Sequence, residues 1–166
     1  MPITASELAT QCTQLLNNNA GPQGRQQVAA LLSKVLADSS NVDALIPPHT
    51  GERDLLYRDE ELGFCIFAHQ YHEPKASLPH DHGPSWAIYA QARGETQMTD
   101  YEWATPDSEE VPGKVRPTRT YSLKPGDAHV YNEGDLHAPV RTGPTCLVRI
   151  EGLDMSTITR RRYETI

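Results

Sequence analysis

Three histidines have the type and spacing to do chemistry. Two stand in Pro79-His80-Asp81-His82-Gly83-Pro84-Ser85-Trp86, and the third ends Gly126-Asp127-Ala128-His129-Val130-Tyr131-Asn132-Glu133-Gly134-Asp135-Leu136-His137. In an extended strand, side chains at i and i+2 share a face, so His80 and His82 can aim two imidazoles at one point while Asp81 turns away. Alone, a His-x-His pair reads equally well as a polar strand end. A second strand and tight turn that deliver His137 shift the reading to a metal site. Three neutral imidazoles bind a divalent first-row ion without adding charge, and they leave up to three positions of an octahedral ion open.

The elements that must position these residues fall into two textures. Thr4-x-x-Glu7 followed by Leu8, Cys12, Leu15 and Leu16 predicts a capped helix over 4–18, closed by Asn17-Asn18-Asn19-Ala20-Gly21-Pro22. Val28, Leu31, Leu32, Val35 and Leu36 form an apolar stripe on a second helix over 23–37. A short helical turn is expected at Val42 to Leu45, and Pro47-Pro48-His49-Thr50-Gly51 ends the helical part. We therefore divide the chain into a helical segment, 1–46, and a β domain, 47–166.

Eight short runs rich in β-branched and aromatic residues follow, at 54–58, 63–72, 85–92, 96–103, 119–123, 128–131, 138–142 and 145–151. That spacing predicts an antiparallel sandwich or barrel. The polar stretch between Pro106 and Pro117 reads as an exposed loop between its halves. The tail with Arg160-Arg161-Arg162 reads as a solvated terminal strand or arm.

Composition narrows the function classes. A chain of 166 residues suits one domain with a sizeable core. Fifteen basic against twenty-two acidic residues give a formal charge of −7, which disfavours nucleic acid and anionic membrane surfaces as partners. Cys12, Cys65 and Cys146 have no CxxC spacing and read as reduced thiols. The N-terminus has no basic region followed by an apolar run, and no eighteen-residue apolar stretch occurs, so a cytoplasmic protein is expected.

The two motifs together resemble the cupin superfamily. Its first motif places a glycine twelve residues beyond the second histidine, as Gly94 stands to His82. Its second, Gly-x5-Pro-x-Gly-x2-His, is matched by Gly126, Gly134 and His137, with Asn132 at the proline position. The resemblance implies a mainly β fold: a cupin double-stranded β-helix, or jelly-roll barrel, with the N-terminal helical pair packed on it. It also implies His80, His82 and His137 as metal ligands. The glutamate that many cupins place five residues after the second histidine is Ala87 here. That leaves a three-histidine set like that of the thiol dioxygenases, the cysteine dioxygenase group. Arg53-Asp54-Leu55-Leu56 through Phe64-Cys65-Ile66-Phe67 is similar to the segment that precedes His-x-His in those enzymes.

This resemblance implies an Fe(II) dioxygenase that oxidises a small thiol-bearing acid to its sulfinic acid. The partners would be a small anionic substrate and dioxygen, and a homodimer stays open. Arg53 becomes a candidate carboxylate clamp, with an ion pair to Asp54 or Glu52 as the competing role. Tyr71 is a candidate at the pocket mouth, against a core aromatic. The group's Ser-x-His-x-Tyr triplet on the last barrel strand is absent; Leu147-Val148-Arg149-Ile150-Glu151 stands there. Arg149 is thus a candidate if its face looks inward, and a solvent residue if it does not.

Loss of the triplet keeps two alternatives alive. One is a lyase, isomerase or hydrolase using zinc, manganese or nickel, since a zinc-bound water ionises near neutrality. The other is a metal-dependent sensor of a small ligand without catalysis. Trp86 either lines the pocket or packs beneath it, and His129 and His72 are expected to lie off the metal. Asp127 is expected to form a turn.

Overall fold

The computed structural model describes residues 1–161 and 163–166. Three helices come first: α1 (Ala5–Asn18), α2 (Pro22–Leu36) and α3 (Ser39–Leu45). Thr4 caps α1 reciprocally. Its Oγ1 accepts from the Glu7 amide at 3.1 Å, and Glu7 Oε2 accepts from the Thr4 amide at 2.8 Å. Pro22 opens α2, where its missing N–H would have had no helical partner. Asp38 starts α3 earlier than the apolar pattern suggested, by accepting from the Ser40 amide at 2.8 Å.

The strands are β1 (Asp54–Arg58), β2 (Cys65–Tyr71), β3 (Lys75–Ala76), β4 (Ala87–Arg93), β5 (Thr96–Thr105), β6 (Gly113–Leu123), β7 (Ala128–Tyr131), β8 (Leu136–Arg141), β9 (Thr145–Glu151) and β10 (Tyr163–Thr165). They form two five-stranded sheets, ordered β1-β2-β9-β4-β7 and β10-β6-β5-β8-β3. Pairing is antiparallel except where β10 runs parallel to β6. The order, with sequence-distant strands such as β2 and β9 side by side, is that of a double-stranded β-helix. The fold is mainly β, with the α1–α2 pair packed on the first sheet.

Alternation along β2, β4 and β9 divides the interior. Ile66, Ala68, Ile88, Ala90, Val148 and Ile150 point outward and share one apolar cluster with Leu8, Cys12, Val28 and Leu32 of the helices. The opposite set, including Ala87 and Tyr89, points into the barrel, where Met98, Leu123 and Tyr131 meet it. These strands are consequently buried on both faces.

Two expectations need correction. The supposed loop up to Pro117 is in part strand. β6 begins at Gly113 and pairs with β5 as far as Thr105. Val115 is buried while Lys114 and Arg116 are exposed, so one face of this strand is solvated and its apolar signal is thin. Pro117 is accommodated because the ladder shifts register opposite it, between Asp100 and Tyr101. The second correction concerns His80 and His82, which stand on no regular strand. They occupy an irregular segment between β3 and β4 that touches the sheet through one bridge, His80 to His137.

The tail reaches the second sheet through β10, which lies beside β6. Of the three arginines, Arg162 lies outside the described residues.

Candidate metal centre

One local pairing sets two of the histidines against each other. The His80 amide donates to the His137 carbonyl at 3.0 Å, and the His137 amide donates to the His80 carbonyl at 2.9 Å. His137 is the second residue of β8, reached through a turn in which the Asn132 amide donates to Asp135 Oδ2 at 2.8 Å. That turn needs Gly134, whose φ of 81° lies in the left-handed region. Gly94, closing the β4–β5 turn, is required for a second reason: a Cβ there would stand 2.3 Å from the Pro144 carbonyl oxygen.

Side-chain hydrogen bonds then orient the rings. His80 Nδ1 lies 2.8 Å from the Leu78 carbonyl, and His137 Nδ1 lies 2.9 Å from the Asp135 carbonyl. A carbonyl can only accept, so Nδ1 carries the proton in both rings and Nε2 keeps its lone pair. Donor atoms of His80, His82 and His137 all lie within 4.8 Å of one another. Nε2 of His82 and His137 are 3.3 Å apart.

Burial pushes His80 down to about 4 and holds His82 and His137 well below the usual imidazole range. Arg149 acts in the same direction on all three, and neighbouring histidines do so on His82 and His137. All three are therefore neutral at pH 7, which is the ligand form. Convergent lone pairs at this separation repel unless a proton or a cation lies between them. An all-nitrogen neutral set of this kind fits a divalent first-row ion.

A fourth group points into the same place and was missed from the sequence. The hydroxyl of Tyr89 lies 3.2 Å from His82 Nε2 and 3.4 Å from His137 Nε2, and Tyr89 is buried. The signal was available: Tyr89 follows Ala87 by two residues, so it shares the face on which the missing glutamate would have stood.

The centre opens into a cavity of about 500 Å³ lined by His80, Tyr89, His69, Tyr71, Arg141 and Arg149 among others. Arg149 is turned inward, 9% exposed, with its Cζ 4.2 Å from the centroid of the Tyr89 ring. Its register partner in β4 is Tyr89. Tyr71 lines the cavity wall with its hydroxyl 3.2 Å from His69 Nδ1.

Arg53 also borders the cavity, but its fork is closed on Glu151 at 3.0 and 2.9 Å and it reaches Asp154 at 3.3 Å. Neither Asp54 nor Glu52 is its partner. Glu151 is fully buried, with Arg149 at 3.6 Å on its other side.

The remaining candidates separate cleanly. Trp86 packs in the cluster beneath the helices, with Arg25 over its ring at 5.2 Å. His129 lies against Tyr121 and Tyr131 with its ring tilted to both, and His72 bonds Gln70 at 3.1 Å; neither joins the three-histidine group. Asp127 accepts from the Lys124 amide at 2.8 Å and so forms a turn.

Fold and site together define a class: a double-stranded β-helix barrel with a three-histidine cluster that could hold a metal ion. No family model matches the chain, and no curated protein matches it. Solved structures do resemble it at low identity. KdgF from Halomonas sp. is 16% identical, with a TM-score of 0.44, over 60% of this chain and 74% of that one. A cupin superfamily protein from Desulfitobacterium hafniense is 14% identical, with a TM-score of 0.44, over 61% and 76%. An uncharacterized protein with a double-stranded β-helix domain from Klebsiella pneumoniae subsp. pneumoniae is 17% identical, with a TM-score of 0.48, over 74% and 88%. At this level of likeness, the strand order and the chain's own residues carry the chemistry. No helix among the described residues is long and apolar enough to cross a membrane.

Proposed function

We propose that this chain is a metal-dependent oxidoreductase, an iron(II) dioxygenase that converts a small thiol-bearing acid to its sulfinic acid. The observation that carries the proposal is the neutral three-nitrogen set at the end of a cation-lined cavity. Bound there, iron(II) would supply a coordination site for a thiolate beside one for dioxygen. The balance closes without a further reductant: the thiol sulfur gives up four electrons, dioxygen takes them, and both oxygen atoms end on sulfur.

The chain's residues do the rest. His80, His82 and His137 add no charge, so an anionic ligand is not repelled from the centre. Arg149 takes the substrate carboxylate, because its guanidinium sits over Tyr89 next to the histidines and only part of it is engaged by Glu151. Arg53 serves that clamp indirectly by holding Glu151 in place. The Tyr89 hydroxyl donates a hydrogen bond toward whatever occupies the centre. Met155 and Ile158, on the segment after β9, narrow the mouth against water.

The presence of Arg149 and Glu151 where thiol dioxygenases carry Ser-x-His-x-Tyr favours one second reading, a lyase, isomerase or hydrolase that uses zinc, manganese or nickel. Elemental analysis of protein purified without chelator or nickel resin separates the two, alongside oxygen uptake with a panel of thiol acids. About one iron per chain, lost in His137→Ala, together with thiol-dependent oxygen uptake is the expected result. Stoichiometric zinc and no uptake would overturn the dioxygenase in favour of the second reading.

A further inference from the structure

A buried charge is costly unless something pairs with it, and the cavity's basic residues divide on that test. Arg53 is closed on Glu151 and Asp154, and Lys75 pairs with Glu52. Arg141 has no such partner among the described residues. It is 2% exposed, and both Nε and Nη2 are sealed from water without an acceptor among the described residues. Its guanidinium rests on the Tyr71 ring, 4.6 Å from the centroid. Nε of Arg149 is likewise buried without an acceptor. Glu52 is the acidic residue lining the cavity, and Lys75 already engages it.

Position along the strand says where this charge lies. His137, Pro139 and Arg141 alternate on β8, so all three share its inward face, and Pro139 and Arg141 both line the cavity. Four residues of strand separate the Cα atoms of His137 and Arg141 by about 13 Å. Arg141 is therefore rooted farther along the cavity wall than His137, and its guanidinium rests on Tyr71 while that of Arg149 rests on Tyr89.

We propose that Arg141, backed by Tyr71, forms a second anion subsite, so that the cavity takes a dicarboxylic acid spanning Arg149 and Arg141. For the substrate this deepens the reading above and rests on it: the thiol-bearing acid carries a second carboxylate at its far end. The planar fork of Arg141 suits a carboxylate's two oxygens, and it has N–H groups with no other acceptor. A single carboxylate at Arg149 would leave that charge unpaired in the complex.

The test uses metal-free full-length protein, so that it does not depend on the metal. Calorimetric titration with succinate, glutarate and adipate is compared with propionate and with inorganic phosphate. At least one dicarboxylate should bind about tenfold or more tighter than propionate, the size expected for one added charge-assisted contact. Arg141→Gln should remove that advantage and leave propionate binding close to wild type. Its ligand-free melting temperature should not fall, because the variant removes an unpaired buried charge.

Should Arg141→Gln fail to fold, Arg141→Lys keeps the charge without the fork and should lose most of the advantage. Dicarboxylates no tighter than propionate, phosphate as tight as the best dicarboxylate, or unchanged binding in the folded variant would each overturn the subsite. A dicarboxylate preference without thiol-dependent oxygen uptake sinks the dioxygenase and leaves the subsite standing. Oxygen uptake without any dicarboxylate preference does the reverse.

Discussion

Glu151 decides how the arginines near the site divide their work. It is fully buried and receives both arms of Arg53, while Arg149 stands 3.6 Å away on the cavity side. Arg53→Ala would leave a buried carboxylate with two long contacts, Arg149 at 3.6 Å and the Met155 amide at 3.4 Å. That should lower stability by about 2–3 kcal/mol, less than for a sealed pair because the Arg53 side chain is 32% exposed. Urea unfolding of the two proteins measures this, and equal midpoints would mean that Arg149 and the Met155 amide satisfy Glu151 without Arg53. Arg53 and Arg149 were both legible as candidates in the sequence. Which of them keeps a free guanidinium was not, because that depends on the pairing of β9 with β2 and β4.

Arg25 ties the helices to the turn before His137. Arg25 of α2, 7% exposed, forks onto Glu133 at 2.7 and 2.8 Å and donates to Asn132 Oδ1 at 2.9 Å. Both acceptors sit in the turn that delivers His137. Arg25→Ala should cost on the order of 2 kcal/mol in urea unfolding, since Glu133 is itself part-exposed. It should also weaken metal binding severalfold in competition with a chromogenic chelator. Loss of stability with unchanged metal affinity would show that the turn holds its shape without the helix. The long hairpin of β5 and β6 was hidden at this scale because its outward residues are charged and proline-punctuated, so periodicity had little apolar signal to find.

Four imidazoles in or beside the cavity make the whole molecule sensitive to acid. Burial holds His69, His80, His82 and His137 below the ordinary value of 6.5. Unfolding releases each to take up a proton there. As pH falls below about 6.5, the unfolded chain binds more protons than the folded one, so stability falls with pH. For His80 the loss levels off near its folded value of about 4. The urea midpoint of metal-free protein should drop steadily from pH 7 to pH 5. Saturating metal should oppose that drop, because the ion binds the neutral rings of the folded state. A flat midpoint across that range would contradict the burial of these rings.

The sequence by itself determined the helical pair, through a capping box and an apolar stripe, and most of the strands, through short apolar runs and turn residues. It also singled out the histidines that cluster, because two motifs in order bring His80, His82 and His137 into a single pattern. These are local signals, carried by neighbours in the chain. Tertiary structure alone decided the rest. It turned Arg149 and Glu151 inward, closed Arg53 on Glu151, set the Tyr89 hydroxyl beside Nε2 of His82 and His137, and left Arg141 buried without an acidic partner among the described residues. Each of those outcomes depends on which distant strand lies alongside, and burial and charge pairing have no sequence period from which to read them.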